Sequence, residues 1–170
     1  FRWLTPAASL VQDPAQAVVN VSVRSPLPVI LTNKDVDQAL DAANLISVSG
    51  KKPDVRPVVL FTLLLQTGLR KGETARLVTN HLDFSDHDHP HLYVRYSDKR
   101  HRHKERKVSV EPSWIITYRR YADKHNISER VFPWSVRRLE YLLEDITNTA
   151  GLNKHVSFEM LRWTCATRDH

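Results

Sequence analysis

The sequence predicts a mainly helical α+β domain with a small antiparallel sheet, and three observations predict it. Apolar residues recur at steps of three and four along several stretches, most of them opened by a hydroxyl or carboxylate cap or an early proline. That period lapses between His81 and Pro112, where aromatic and β-branched residues flank a basic patch, as in strands joined by a turn. With 170 residues, 41% of them hydrophobic and 26% charged, the chain can build one ordinary core and is too short for two domains of average size.

Phe1 to Val18 carries Phe1, Trp3, Leu4 and Leu10 ahead of Asp13-Pro14, where a proline and its restricted neighbour stop any helix. It reads as the tail of an upstream element, and an opening Phe rather than Met fits a piece of a longer or processed protein. From Val19 to Arg24 β-branched and polar residues alternate, and Pro26 and Pro28 then force an extended path, so this is a linker. The domain starts at Thr32. Thr32-Asn33-Lys34-Asp35 has capping-box spacing, and Val36, Leu40 and Ala43 follow on one helical face.

Between Asp54 and Gln66 the apolar run is nearly continuous, which fits a buried strand or a buried helix; its length and leucine content favour a helix, ended by Gly68 as a left-handed cap. Lys71 to Val78 reads as a second short helix. Leu92, Tyr93, Val94 and Tyr96, then Val108, Ser109 and Val110, are expected strand residues on either side of the basic turn. Pro112 to Lys124 is expected to be helical, with Trp114, Ile115, Tyr118 and Tyr121 or Ala122 on one side. Ser135 opens a longer helix with Val136, Leu139, Leu142, Leu143 and Ile146 as its stripe and Gly151 past its end. Ser157 caps a last helix containing Phe158, Leu161 and Cys165.

Lys and Arg outnumber Asp and Glu by 25 to 19, a net charge of +6 that favours a polyanionic partner, nucleic acid or an anionic surface. The longest apolar run, Val58 to Leu65, falls far below the roughly 20 residues that span a bilayer, and no signal pattern opens the chain, so a cytoplasmic protein with no membrane partner is expected. One cysteine, Cys165, excludes an internal disulfide and a cysteine-based metal site. Asp86-His87-Asp88-His89-Pro90-His91 alternates imidazole and carboxylate in a way that suits zinc or nickel, and a metal-dependent nuclease can be argued from it. Neighbouring side chains in an exposed turn need not converge, and no metal is expected there. Trp114 and Trp134 could stack on bases, but their helical neighbours favour packing.

Two boxes carry the chemistry. Thr67-Gly68-Leu69-Arg70-Lys71-Gly72-Glu73 is followed by Leu77 and Asp83-Phe84, and Leu161-Arg162-Trp163-Thr164-Cys165-Ala166-Thr167 comes later. In order, and separated by a hairpin and two helices, they resemble the two arginine boxes of the tyrosine recombinases of phage-integrase type. The resemblance spans Thr32 to His170. It implies residues 1–18 as the tail of a core-binding domain, 19–31 as a linker and 32–170 as a catalytic domain incomplete at its C-terminus. It also implies double-stranded DNA as partner, self-association on DNA (a tetramer in the family), a prokaryotic or phage, nucleoid-associated setting, and chemistry with neither metal nor cofactor.

In such enzymes a tyrosine hydroxyl attacks a phosphodiester to give a 3′-phosphotyrosyl bond, and guanidinium groups meet the extra charge of the transition state. The resemblance makes Arg70 and Arg162 those groups, with Glu73 orienting Arg70. Read without it, Arg70 is a surface residue of a turn and Arg162 a partner of Glu159 one turn earlier. The turn from Arg95 to Lys107 holds seven Lys and Arg residues against Asp98 and Glu105. There the family carries a lysine that protonates the leaving 5′ oxygen; Lys99 matches it best, and Lys104 stays open because this turn is about two residues longer than usual. Arg100, Arg102, Lys104 and Arg106 are candidate DNA contacts.

Two departures stand out. The family has His three residues before its second arginine, and this chain has Glu159, whose carboxylate repels a phosphate unless protonated or turned away. The family's nucleophile would follow Arg162 by about three dozen residues, beyond His170, while Tyr93, Tyr96, Tyr118, Tyr121 and Tyr141 read as packing residues. The expectation is a catalytic-domain piece that binds DNA without cleaving it; the rival is a recombinase-derived DNA-binding module with no chemistry.

Overall fold

The computed structural model describes residues 27–49 and 53–168. The expected upstream tail, most of the linker and His170 lie outside the described residues. Six α-helices and a three-stranded sheet make up the described part. Helix α1 (Asn33–Val48) opens on the full capping box: Asp35 N–H donates to Thr32 Oγ1 at 3.2 Å and Thr32 N–H to Asp35 Oδ2 at 2.8 Å. The Lys154 ammonium, 2.9 Å from Asp35 Oδ2, leads the hydrogen bonds that hold this carboxyl at about 2.

Helix α2 (Arg56–Thr67) forms the centre. The unbroken apolar run, which leaves no polar face to reveal a period, is a helix buried on several sides: Val58, Val59, Leu60, Phe61, Leu63 and Leu64 are all core residues. It ends as expected at Gly68, in the left-handed region at φ 56°.

The next helix, α3 (Lys71–Ala75), stops three residues short of the expected Val78. Leu77 is buried, its carbonyl accepts from Val131 N–H at 2.9 Å, and Val78 pairs with Arg130 as an antiparallel bridge. A helix through Val78 would forfeit that pairing and expose Leu77.

Strands β1 (Leu82–Asp83), β2 (His91–Val94) and β3 (Arg106–Ser109) form an antiparallel sheet in that order, with Leu92 opposite Val108 and Val94 opposite Arg106. Leu92 and Val94 point into the core. The basic connection is not an open loop: Lys99–Lys104 winds into a 3-10 turn, begun by Asp98, whose carboxylate accepts from Arg100 N–H at 3.0 Å.

Helices α4 (Pro112–His125), α5 (Val136–Ala150) and α6 (Phe158–Arg168) follow. On α4, Trp114, Ile115, Tyr118 and Tyr121 are buried as the pattern predicts, and Trp114 stacks on Tyr118 with ring centroids 5.0 Å apart. Leu139, Leu142, Leu143 and Ile146 form the buried stripe of α5, between the Ser135 cap and left-handed Gly151. Leu161, Thr164 and Cys165 face α2 from α6. Leu31, the last linker residue, is buried and donates its N–H to Thr164 Oγ1 at 3.0 Å, so the chain enters the domain pinned to its last described helix.

Candidate phosphate-binding site

The site is built where α2 ends against α6. Only a left-handed residue turns the chain off α2 towards α3, and Gly68 supplies it. A Cβ at Gly68 would also stand 3.4 Å from Cys165 Sγ and 3.7 Å from the Arg162 carbonyl, so the turn lies directly on α6. Buried Leu69 anchors the next position and turns Arg70 outward. From α6, Arg162 Nη1 donates to the Gly68 carbonyl at 2.8 Å, across 94 positions of sequence. One of its five N–H donors is thus used to fix the guanidinium.

Arg70 and Arg162 line one cavity of about 800 Å³, together with His155, Glu159, Tyr141 and Trp163. Among the described residues the Arg70 guanidinium has no hydrogen-bond or ion-pair partner, and Glu159 makes no ion pair with Arg162. Neither arginine is therefore neutralised by the fold, and both can meet an anion with planar paired donors.

Glu73 sits beneath Arg70. Its side chain is 3% exposed and takes four hydrogen bonds: from Arg70 N–H at 2.8 Å, from Arg106 Nη1 and Nη2 at 2.9 and 2.8 Å, and from the Tyr96 hydroxyl. Burial pushes this carboxyl up, but the bonds from Arg106, Tyr96 and the Arg70 amide outweigh it and hold it at about 2. The contact with Arg70 runs through the backbone, and the guanidinium that Glu73 holds is that of Arg106. Arg106, expected as a DNA contact, is turned inward on β3 instead, its neighbour Lys107 facing out. Strand alternation decides this, together with the need of a buried carboxylate for a cation.

Arg70 also lines a second groove, of about 370 Å³, with Arg76, Tyr96, His101 and Lys104. The Arg76 guanidinium lies over the Tyr96 ring at 5.9 Å. Of the two candidate lysines, Lys104 faces this groove, while Lys99 is exposed at the start of the turn and lines neither cavity. Arg100 is 86% exposed and bonded to neighbouring Asp98 at 2.9 Å; Arg102 is exposed.

The histidine and aspartate run from Asp86 to His91 does not converge. Asp86 accepts from Asp88 and His89 N–H, and His91 is buried between the Tyr93 hydroxyl at 3.0 Å and Asp83 at 3.3 Å. Among the described residues no cluster of His, Cys, Asp or Glu is arranged to hold a metal. Trp114 is core, its Nε1 donating to the Val59 carbonyl at 3.1 Å, and Trp134 packs on His125 and under Arg56.

Sequence reasoning missed the α5 wall. Tyr141 is not a packing residue: it is 40% exposed in the first cavity, its hydroxyl accepting from Arg137 Nε at 2.9 Å. Tyr96 packs against the core as expected and in addition donates its hydroxyl to Glu73. An Arg and a Tyr four apart on the polar face of α5 were the available signal.

The family model of the phage integrase family matches residues 30–168. This chain belongs to the phage integrase family. No curated protein matches it. Among solved structures, this phage-integrase-family chain resembles XerA recombinase, with TM-score 0.68 and 22% identity over 85% of this chain and 52% of that one. It also resembles XerH site-specific recombinase bound to difH substrate in a pre-cleavage complex, with TM-score 0.70 and 20% identity over 92% of this chain and 48% of that one. For the lambda integrase dimer bound to a COC′ core site the TM-score is 0.63, with 16% identity over 98% of this chain and 47% of that one. The chain spans about half the length of these structures, and the mainly helical fold with its small sheet is the one they share. None of the helices among its described residues is long and apolar enough to cross a membrane.

Proposed function

We propose that this chain is the DNA-binding, phosphate-engaging part of the catalytic domain of a site-specific tyrosine recombinase. One observation carries the reading: Arg70 and Arg162 line a single cavity, linked through Gly68, with guanidinium donors that no carboxylate occupies. In the reaction a tyrosine hydroxyl attacks the scissile phosphodiester, forming a 3′-phosphotyrosyl bond and releasing a 5′ hydroxyl. The two guanidiniums hold the non-bridging oxygens and stabilise the charge that develops there. The part of this reaction proposed for the described residues is the binding of DNA and the holding of its phosphate by the two arginines.

Lys104 is the better candidate for the acid that protonates the leaving 5′ oxygen, because it shares a groove with Arg70. Lys99, the closer match by sequence, lies outside that groove and is assigned, with Arg100 and Arg102, to phosphate contacts along the duplex. Glu73 and Arg106 are positioning residues, holding the Arg70 turn and β3 in one unit. XerH is seen on its difH substrate, and lambda integrase as a tetramer on a Holliday junction. Double-stranded DNA as partner and self-association upon it are proposed here by that likeness.

Fluorescence anisotropy with a labelled duplex tests the reading. Affinity should fall steeply with salt, and Arg70→Ala combined with Arg162→Ala should weaken it; a flat salt response would reject DNA binding. For the chemical step, a chain extended through the expected tyrosine is incubated with a nicked duplex. Absence of a covalent adduct while binding persists would favour the module without chemistry.

A further inference from the structure

We propose that His155 is a third phosphate-binding group of the Arg70–Arg162 cavity, supplying a proton donor on the side where Glu159 supplies none. The inference rests on the phosphate site proposed above and names a group for it outside both arginine boxes.

Several cationic side chains reach this cavity, and one is already paired: Lys71 Nζ is bonded to Glu140 at 3.0 Å. Arg137 uses only Nε, on the neutral Tyr141 hydroxyl at 2.9 Å, and keeps its charge. Arg70, the remaining donors of Arg137 and Arg162, and His155 are left, and the imidazole of His155 has no hydrogen-bond partner among the described residues. Glu159, in the first turn of α6, lines the same cavity and forms no ion pair among the described residues. A phosphate drawn in by the two guanidiniums would therefore face a carboxylate from α6. His155 stands on the segment leading into that helix, and its imidazole can offset this charge and give up or take back a proton, which a guanidinium cannot do.

The position is a fixed one although the ring is exposed. On one side of His155, Lys154 Nζ bonds to the Ile30 carbonyl at 3.3 Å and to Asp35 at 2.9 Å. On the other, Val156 is fully buried and its N–H donates to Thr147 Oγ1 at 3.0 Å. Anchors on both flanks fix the backbone that carries His155 beside the cavity, so that only the ring's own rotamer has to be ordered on binding.

The test is an NMR titration of this chain with inorganic phosphate. The imidazole C–H signals of His155 and the side-chain Nε–H signals of Arg70 and Arg162 should move together on one binding curve, while the imidazole signals of His87, exposed outside the cavity, stay put. His155→Ala should weaken phosphate binding by about three- to tenfold, the loss of one charge-assisted hydrogen bond in a half-open site. Glu159→Gln should tighten it. If the arginine signals move but His155 does not, or His155→Ala leaves the affinity unchanged, the proposal is overturned while the two-arginine reading stands. A Glu159→Gln variant that binds no more tightly also overturns it, since the carboxylate would then not face the ligand. If none of the three residues responds, the phosphate site itself is wrong.

Discussion

The arginine centre and the basic turn are both cationic and lie on either side of Arg70, yet they are held in opposite ways. At the centre, Glu73 binds the Arg70 amide and the Arg106 guanidinium, Arg162 is tied to the Gly68 carbonyl, Leu69 is buried, and Cys165 lies against Gly68. In the turn from Lys99 to Lys104, Lys99, Arg102 and His103 are exposed and make no side-chain bond among the described residues, and Arg100 has only its neighbour Asp98. Such an exposed, solvent-screened pair adds little to stability. The Arg162 guanidinium and the backbone that carries Arg70 are thus fixed before DNA arrives, whereas the turn has few contacts to resist being reshaped by a duplex. Preorganisation matters most where charge develops and least where phosphates are only tracked.

That contrast breaks first at the chemical step. In a chain extended through the expected tyrosine, Arg162→Ala or Arg70→Ala should slow formation of the DNA adduct by ~10²–10³-fold. Lys104→Ala should slow it by at least ~10²-fold and Lys99→Ala far less. A 5′-phosphorothiolate substrate, whose leaving group needs no proton, should rescue whichever lysine is the acid. If it rescues Lys99→Ala instead, the groove assignment is wrong.

Next in size is stability. Glu73 has its carboxyl lowered in the folded state from 4.5 to about 2, so the stabilisation is complete above the unfolded value and is lost as pH falls through about 4.5 towards 2. Glu73→Gln should cost about 3 kcal/mol at pH 7 and flatten the acid limb of urea denaturation between pH 4.5 and 2. An unchanged acid limb would mean that the centre is no better tied than the turn.

Gly68→Ala should cost about 1–2 kcal/mol in thermal or urea melts, from the left-handed φ of 56° and the close approach of Cys165. The smallest effect belongs to the turn. Arg102→Ala should leave the melt unchanged, weaken duplex binding a few-fold and reduce the slope of log K against log salt by about one. A stability loss there would show that the turn is held more firmly than its contacts indicate.

Much of the fold was legible locally. Caps at Thr32, Ser135 and Ser157 set the starts of α1, α5 and α6, and Gly68 and Gly151 set two of the ends, because these signals act through hydrogen bonds and φ values within a few residues. The extent of α3 was not legible, since Leu77 and Val78 answer to a bridge with Arg130 that lies far along the chain. The candidate site divided in the same way. Arg70 and Arg162 could be named from their boxes, but the partner of Glu73 could not, since Arg106 reaches it only through the pairing of β2 with β3.

By itself, then, the sequence determined which segments become helices and strands, and which residue types are on hand for an anion. The tertiary structure decided which of the many cations remain available. Lys71, Arg106 and Lys154 are taken up by Glu140, Glu73 and Asp35, and Arg70 is left facing the cavity. Charge neutralisation depends on distance in space, which the order of residues does not encode over such spans.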